Sequence, residues 1–378
     1  MNKIKIMTPG PTEVDERVLK AMSQPITNPD LDRDFFDFYQ SVCNKFKKLI
    51  KTNNDALILC GEGILGLESA CASLIEKGDR VLCIENGIFG RGFGDFVDIY
   101  GGKKVYFHGN QRRGIDVNEL RDFLETDNNF KIATLVHCET PSGITNNIKE
   151  ICKLLNNYGI ISVVDSVSAV AGEELNVDEW GIDVLLSGSQ KCLSATPGLT
   201  LVSISDRAYS IMESRTQPIA SFYCNLLLWK DWYNTGFPYT QPVTDIYGLN
   251  EALDIVLEDK EFKLRHRVLA DGVRRAISGS GLELYPLDSY SNTVCSIIKP
   301  DEIDFNKLFD YILKEHRIMI SGAFSTLENK VIRIGHMGVG CNEKTLYDTL
   351  YALRMGCEKQ GFILNRKLEE DFKDIIKS

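Results

Sequence analysis

No apolar run in the chain approaches the roughly 20 residues of a membrane-spanning helix. The longest, such as Ala56–Cys60 and Ile160–Val164, reach about a quarter of that, so no membrane partner is expected. The N-terminus reads Met1-Asn2-Lys3-Ile4-Lys5-Ile6-Met7 and then Pro9-Gly10-Pro11, which lacks the apolar stretch of a signal peptide and points to the cytoplasm. Positive charge is in deficit: 43 Lys and Arg against 53 Asp and Glu leave a net charge of −10. A phosphate backbone would be repelled, so nucleic acid is not an expected partner. The 11 cysteines are odd in number and never spaced as Cys-x-x-Cys, which argues against a disulfide framework or a zinc cage and leaves reduced, core-filling thiols. No internal repeat or low-complexity stretch occurs.

What is present is an ordinary globular composition, 43% hydrophobic and 25% charged over 378 residues, enough for two to three folding units. Short β-branched runs alternate with amphipathic stretches from Ala56 to Ile204. The expected strands are 56–60, 80–84, 103–107, 132–137, 160–165, 184–187 and 199–204, and the expected helices 65–76, 118–125 and 148–158. This alternation predicts an α/β fold, a mainly parallel doubly wound sheet covered by helices on both faces. Helical patterns over 245–257 and 261–278 form a connector. Strands near 293–298 and 331–334, with helices near 305–315 and 343–357, predict a smaller C-terminal α+β domain. Leu364, Leu368, Phe372, Ile375 and Ile376 predict a docked terminal helix. The division is a large domain over 15–255 and a small one over 256–378 joined by the N-terminal segment 1–14.

Gly61-Glu62-Gly63-Ile64-Leu65-Gly66 matches G-x-G-x-x-G after an expected strand, with Glu85 closing the next one. The pattern suits a dinucleotide, a single phosphate on a helix N-terminus or a plain tight turn. A second constellation weighs between these. Asp165 closes the strand Ile160-Ile161-Ser162-Val163-Val164, and Lys191 follows the strand and turn Val184-Leu185-Leu186-Ser187-Gly188-Ser189-Gln190. Both emerge at the carboxyl edge of the sheet, where open α/β folds bind ligands. An acid, a lysine and a phosphate cradle on one edge are what pyridoxal 5'-phosphate needs: the amine condenses with its aldehyde, and the acid pairs with its ring nitrogen.

Ser187-Gly188-Ser189-Gln190-Lys191 followed by Pro197-Gly198, with Val164-Asp165-Ser166-Val167 and Thr8-Pro9-Gly10-Pro11 upstream, resembles the class V aminotransferases of pyridoxal phosphate fold type I. The branch it is most similar to is alanine–glyoxylate and serine–pyruvate aminotransferase, and the resemblance runs from Thr8 to Gly356. It implies that Lys191 carries the cofactor and that Asp165 pairs with the ring nitrogen. It also implies phosphate contacts from Gln190 and from the backbone of Glu62, Gly63 and Ile64. Phe89 would stack on one ring face and Val167 on the other, with Thr140 near the phenolic oxygen. Arg333 would grip the substrate carboxylate through a bidentate fork beside Gly10. An arginine within the apolar run Val331–Ile334 is costly unless paired, which independently suggests a function. Thr240 would reach the phosphate bound to a neighbouring subunit, which implies a homodimer with shared active sites. Two positions depart from the family pattern. Glu62 stands where Ser or Thr is usual and would repel a phosphate unless turned outward; Phe237 stands where a tyrosine is usual.

The expected function is therefore transfer of the amino group of alanine or serine to glyoxylate or pyruvate by a pyridoxal-phosphate-dependent aminotransferase. Within the same fold the rivals are a 2-aminoethylphosphonate–pyruvate aminotransferase and a cysteine desulfurase. The latter expects a histidine where Gln190 stands and a reactive cysteine between Ile318 and Met337, where the chain has none. From other classes, a dinucleotide-dependent oxidoreductase draws on the glycine pattern and Glu85, and a non-catalytic binding protein on Glu62.

Overall fold

A computed structural model describes residues 4–377. Its centre is a seven-stranded sheet in the spatial order Asp55–Cys60, Leu199–Ile204, Val184–Gly188, Ile161–Asp165, Ile132–Val136, Arg80–Glu85, Lys103–His108. Every residue of the four strands from Leu199–Ile204 to Ile132–Val136 is buried. That is why these segments read as continuous apolar runs: helices cover both faces of such a sheet. The edge strand Lys103–His108 is largely part-exposed and carries two lysines.

Six strands run parallel. Leu199–Ile204 is antiparallel to both of its neighbours. Only the short turn 189–198 separates it from Val184–Gly188, and a parallel return needs a crossover of a dozen or more residues. The expected helices appear as Gly63–Leu74, Val117–Thr126 and Ile148–Asn157, the last two capped by Asp116 and Asn147. Helices outside the sequence expectation include Glu16–Met22, Arg33–Ile50, Ile88–Ile99 and Asp206–Glu213.

Hydrophobic side chains form two cores. One runs from Val18 through the sheet to Phe262 and includes Val294 and Met337. The other gathers Met7 with side chains from Leu269 to Phe372. Around the second, Val294–Ile298 pairs antiparallel with Val331–Gly335, and Lys5–Ile6 pairs with Ile318–Met319. The docked terminal helix is present as Leu368–Ile375, and Leu364, Leu368 and Phe372 belong to this core. Buried Glu369 ties it to buried Arg354 of helix Glu343–Lys359 at 2.6 Å. Among the described residues no helix is long and apolar enough to cross a membrane.

Candidate active site

Asp165 ends its strand, and Lys191 follows the adjacent parallel strand by three residues. The start of helix Gly63–Leu74 approaches the same edge from the far side of the Leu199–Ile204 strand. Gly61 N donates to Gly198 O at 2.7 Å, and Thr200 Oγ1 donates to the carbonyls of Gly61 and Glu62. These bonds fix the glycine turn against the lysine loop. One cavity results, lined by Glu62, Gly63, Ile64, Phe89, Thr140, Asp165, Val167, Gln190 and Lys191, together with Leu67, Cys138 and Ser168. Every expected cofactor residue except Thr240 is therefore in one place. Thr240 is exposed and donates to Asp30 Oδ2 at 2.9 Å.

The dinucleotide reading fails on topology. The glycine turn follows one edge strand, whereas Glu85 ends the sixth strand across the sheet. At about 4.8 Å per strand the two are roughly 24 Å apart. Buried Glu85 instead meets His108 Nδ1 at 2.5 Å.

Burial sets the electrostatics of the cavity. It pushes the Asp165 carboxyl up to about 6; the Val167 N–H at 2.9 Å and the Lys191 charge pull the other way, and the Glu62 charge adds to the rise. The Lys191 amine is lowered, by burial first and by the Arg333 charge, with Asp165 opposing. Its Nζ donates to Pro9 O at 2.7 Å. Gly10 has φ +99°, a backbone that favours glycine, and it passes so close that a Cβ there would lie 2.4 Å from Lys191 Nζ. Arg333 lies in the Val331–Gly335 strand, and burial lowers its guanidinium to about 10. Its Nε donates to Gly322 O at 2.6 Å.

Glu62 turns inward. It is the N-cap of helix Gly63–Leu74: Oε1 accepts from Ile64 N at 3.2 Å, and Oε2 accepts from Gln190 Nε2 at 3.1 Å. Two of the four donors that the resemblance assigns to a phosphate, Ile64 N and the Gln190 amide, are engaged by this carboxylate. Phe237 packs instead among Phe36, Tyr39 and Trp232, with ring centroids 4.7–5.0 Å apart.

Glu139 is a site residue without an expected role. It is fully buried and accepts from Gly90 N at 2.6 Å and Phe89 N at 3.2 Å, which holds Phe89 at the cavity wall. Burial raises its carboxyl to about 7 against those two N–H groups. An acid between the apolar strand Ile132–Val136 and Thr140 was the signal available.

The aminotransferase class-V family matches residues 6–321. An uncharacterized aminotransferase of Methanocaldococcus jannaschii is 33% identical over 376 residues, 98% of this chain and 97% of that protein. The pyridoxamine–pyruvate transaminase of Mesorhizobium japonicum is 31% identical over 88% of this chain and 86% of its own. The crystal structure of ureidoglycine–glyoxylate aminotransferase from Bacillus subtilis superposes with a TM-score of 0.95 at 29% identity, covering 100% of this chain and 99% of that one. Fold and relatives agree: the chain belongs to the class-V aminotransferases and is a transaminase.

Proposed function

We propose that the enzyme moves the amino group of alanine or serine to glyoxylate or pyruvate, with pyridoxal 5'-phosphate as cofactor. The observation that carries this reading is Arg333. It is buried, and among the described residues no carboxylate pairs with it. Such a guanidinium is costly to bury and matches a monocarboxylate in fork geometry.

The ring end of the cofactor suits the residues present. Asp165 offers a buried anion to the ring nitrogen. Gly63 lies so close to Val167 that a Cβ would come within 2.7 Å of it. Glu62 is exposed enough to swing outward and release Ile64 N and Gln190 to a phosphate. When bound, the cofactor supplies an aldehyde that condenses with amines and a ring that withdraws electrons. Phe89 and Val167 would flank the ring, with Thr140 at its phenolic side. Lys191 Nζ takes the α-proton of the donor and returns it, and its lowered basicity makes the neutral amine accessible.

The test is Arg333→Gln. We expect at least a tenfold rise in KM for alanine and serine with the visible absorbance of the bound cofactor intact, consistent with about 1.5–3 kcal/mol for a charge-assisted contact. An unchanged KM rejects the assignment. A preference for 2-aminoethylphosphonate over both amino acids rejects the donor class alone.

Glu62 favours a second reading, in which the ring that reacts is pyridoxamine without a phosphate, taken as a substrate. A carboxylate seated on a helix N-terminus occupies the anion site and can accept from a 5'-hydroxyl. The Mesorhizobium relative is named for that substrate pair. Turnover of pyridoxamine with pyruvate in phosphate-free cofactor conditions supports it; no turnover rejects it.

The functional unit in this proposal is a homodimer in which Thr240 serves the partner's phosphate. Around Thr240, Leu31 is 80% exposed and Tyr223 is 55% exposed against Tyr239, apolar area that a second copy would cover. A fully active monomer by light scattering rejects it. Two separate cores support the division into 15–255 and 256–378 with 1–14. The unpaired cysteines, of which only Cys60 is exposed, support a reducing compartment, the cytoplasm.

A further inference from the structure

We propose that Phe324 is a specificity-determining residue: its ring forms the apolar wall beside the Arg333 carboxylate site and confines donors to those with one carboxylate and a short side chain. The inference rests on the reading of Arg333 as the carboxylate grip. It holds whether the ring that reacts is phosphorylated or not.

Phe324 lies on the loop between the strands Ile318–Met319 and Val331–Gly335. That loop is bound to Arg333 itself. Arg333 N donates to Ser321 O at 2.6 Å, Ser321 N donates to Arg333 O at 3.2 Å, and Arg333 Nε donates to Gly322 O at 2.6 Å. Two residues further on, the Phe324 ring centre stands 6.0 Å from the guanidinium carbon. It also meets the Phe89 ring edge-on, at 6.0 Å and 75°. One ring thus spans the interval between the anion grip and the aromatic wall of the cavity.

Phe324 is 45% exposed, although it contacts two buried or half-buried neighbours. A phenylalanine left half in water beside a guanidinium gains from whatever covers it. With the ring centre 6.0 Å from the guanidinium carbon, a substrate carboxylate on Arg333 would lie beside this ring. The α-substituent then faces an apolar surface that offers no donor. A methyl or hydroxymethyl group is tolerated there, whereas a second carboxylate would be desolvated without a partner. Longer side chains meet the ring directly.

The test uses the holoenzyme with alanine, aspartate and 2-aminopentanoate as donors, and compares Phe324→Arg and Phe324→Ala with Arg333→Gln. Phe324→Arg supplies a second cation, so the aspartate-to-alanine ratio of kcat/KM should rise at least tenfold. Phe324→Ala only shortens a half-exposed ring and should raise the 2-aminopentanoate-to-alanine ratio at least fivefold, with the cofactor absorbance unchanged in both. If Arg333→Gln raises KM while both ratios stay within twofold of the parent, the wall assignment falls and the carboxylate grip stands. If Arg333→Gln leaves KM unchanged for every donor, the grip falls and the wall assignment with it.

Discussion

Replacing Glu62 with serine is the perturbation that separates the two readings of the cavity. Glu62 accepts from Ile64 N and from Gln190 Nε2, so a phosphate on the same donors would place two negative charges about 5 Å from a third. The repulsion of a dianion and a carboxylate at that distance is about 2 kcal/mol in bulk-water dielectric and about 7 kcal/mol at an effective constant of 20. Glu62 is solvent-exposed, so the lower figure applies and corresponds to about 30-fold in affinity. Serine is a good N-cap, so the helix should lose well under about 1 kcal/mol. For pyridoxal the sign reverses, because Glu62→Ser removes an acceptor for the 5'-hydroxyl worth about 1 kcal/mol, or roughly fivefold. The ratio of the two dissociation constants should therefore move by about 150-fold in favour of the phosphorylated ring. Absorbance titration of the apo protein with each aldehyde measures it. A ratio that stays within twofold would refute the claim that this carboxylate contests the phosphate site.

Lys191→Ala should abolish the borohydride-reducible link to either aldehyde, and mass spectrometry of the reduced protein decides it: an adduct that persists puts the link elsewhere. Asp165 is held at about 6 rather than its ordinary 3.8, so it is a carboxylate above pH 6 and loses its charge below. Affinity of the apo protein for the ring should then fall toward tenfold per unit between pH 6 and 5, and a flat profile from 7 to 5 contradicts the pairing. Glu369→Ala leaves the buried Arg354 with only Glu358 at 3.2 Å. It should cost about 3 kcal/mol in denaturant unfolding, and a loss below about 0.5 kcal/mol would show that the terminal helix docks through Leu368 and Phe372 alone.

The sheet was legible because its strands are buried on both faces and read as unbroken apolar runs. Asp165 and Lys191 were legible for the same reason, since two neighbouring parallel strands must end at one edge. Helix Arg33–Ile50 was missed despite a clear signal: Phe35, Tyr39, Val42 and Phe46 recur three and four residues apart. Helix Ile88–Ile99 carries the same spacing in Phe89, Phe93, Phe96 and Val97, but Gly90, Gly92 and Gly94 depress its propensity and mask it. Gly90 suits a tight spot there, since a Cβ would lie 3.1 Å from the Glu85 backbone and 3.2 Å from the Glu139 carboxylate. The inward turn of Glu62 could not be read from sequence: it depends on Gln190, which is 128 residues away in the chain. Phe324 and Phe89 meet only in the folded protein.

The charges of the site act on one another through Lys191. Lys191 stands in the fields of Asp165, which raises its basicity, and Arg333, which lowers it. Arg333 has no carboxylate partner of its own among the described residues, so its field acts in full on the free enzyme. Under the proposed function, a substrate carboxylate settling on Arg333 would neutralise that field and leave Asp165 untouched. The balance on the Lys191 amine then shifts toward proton uptake at the moment when an α-proton is present to be taken. Under the proposed function, the contact that selects a carboxylate would therefore also tune the base that acts on its neighbouring carbon.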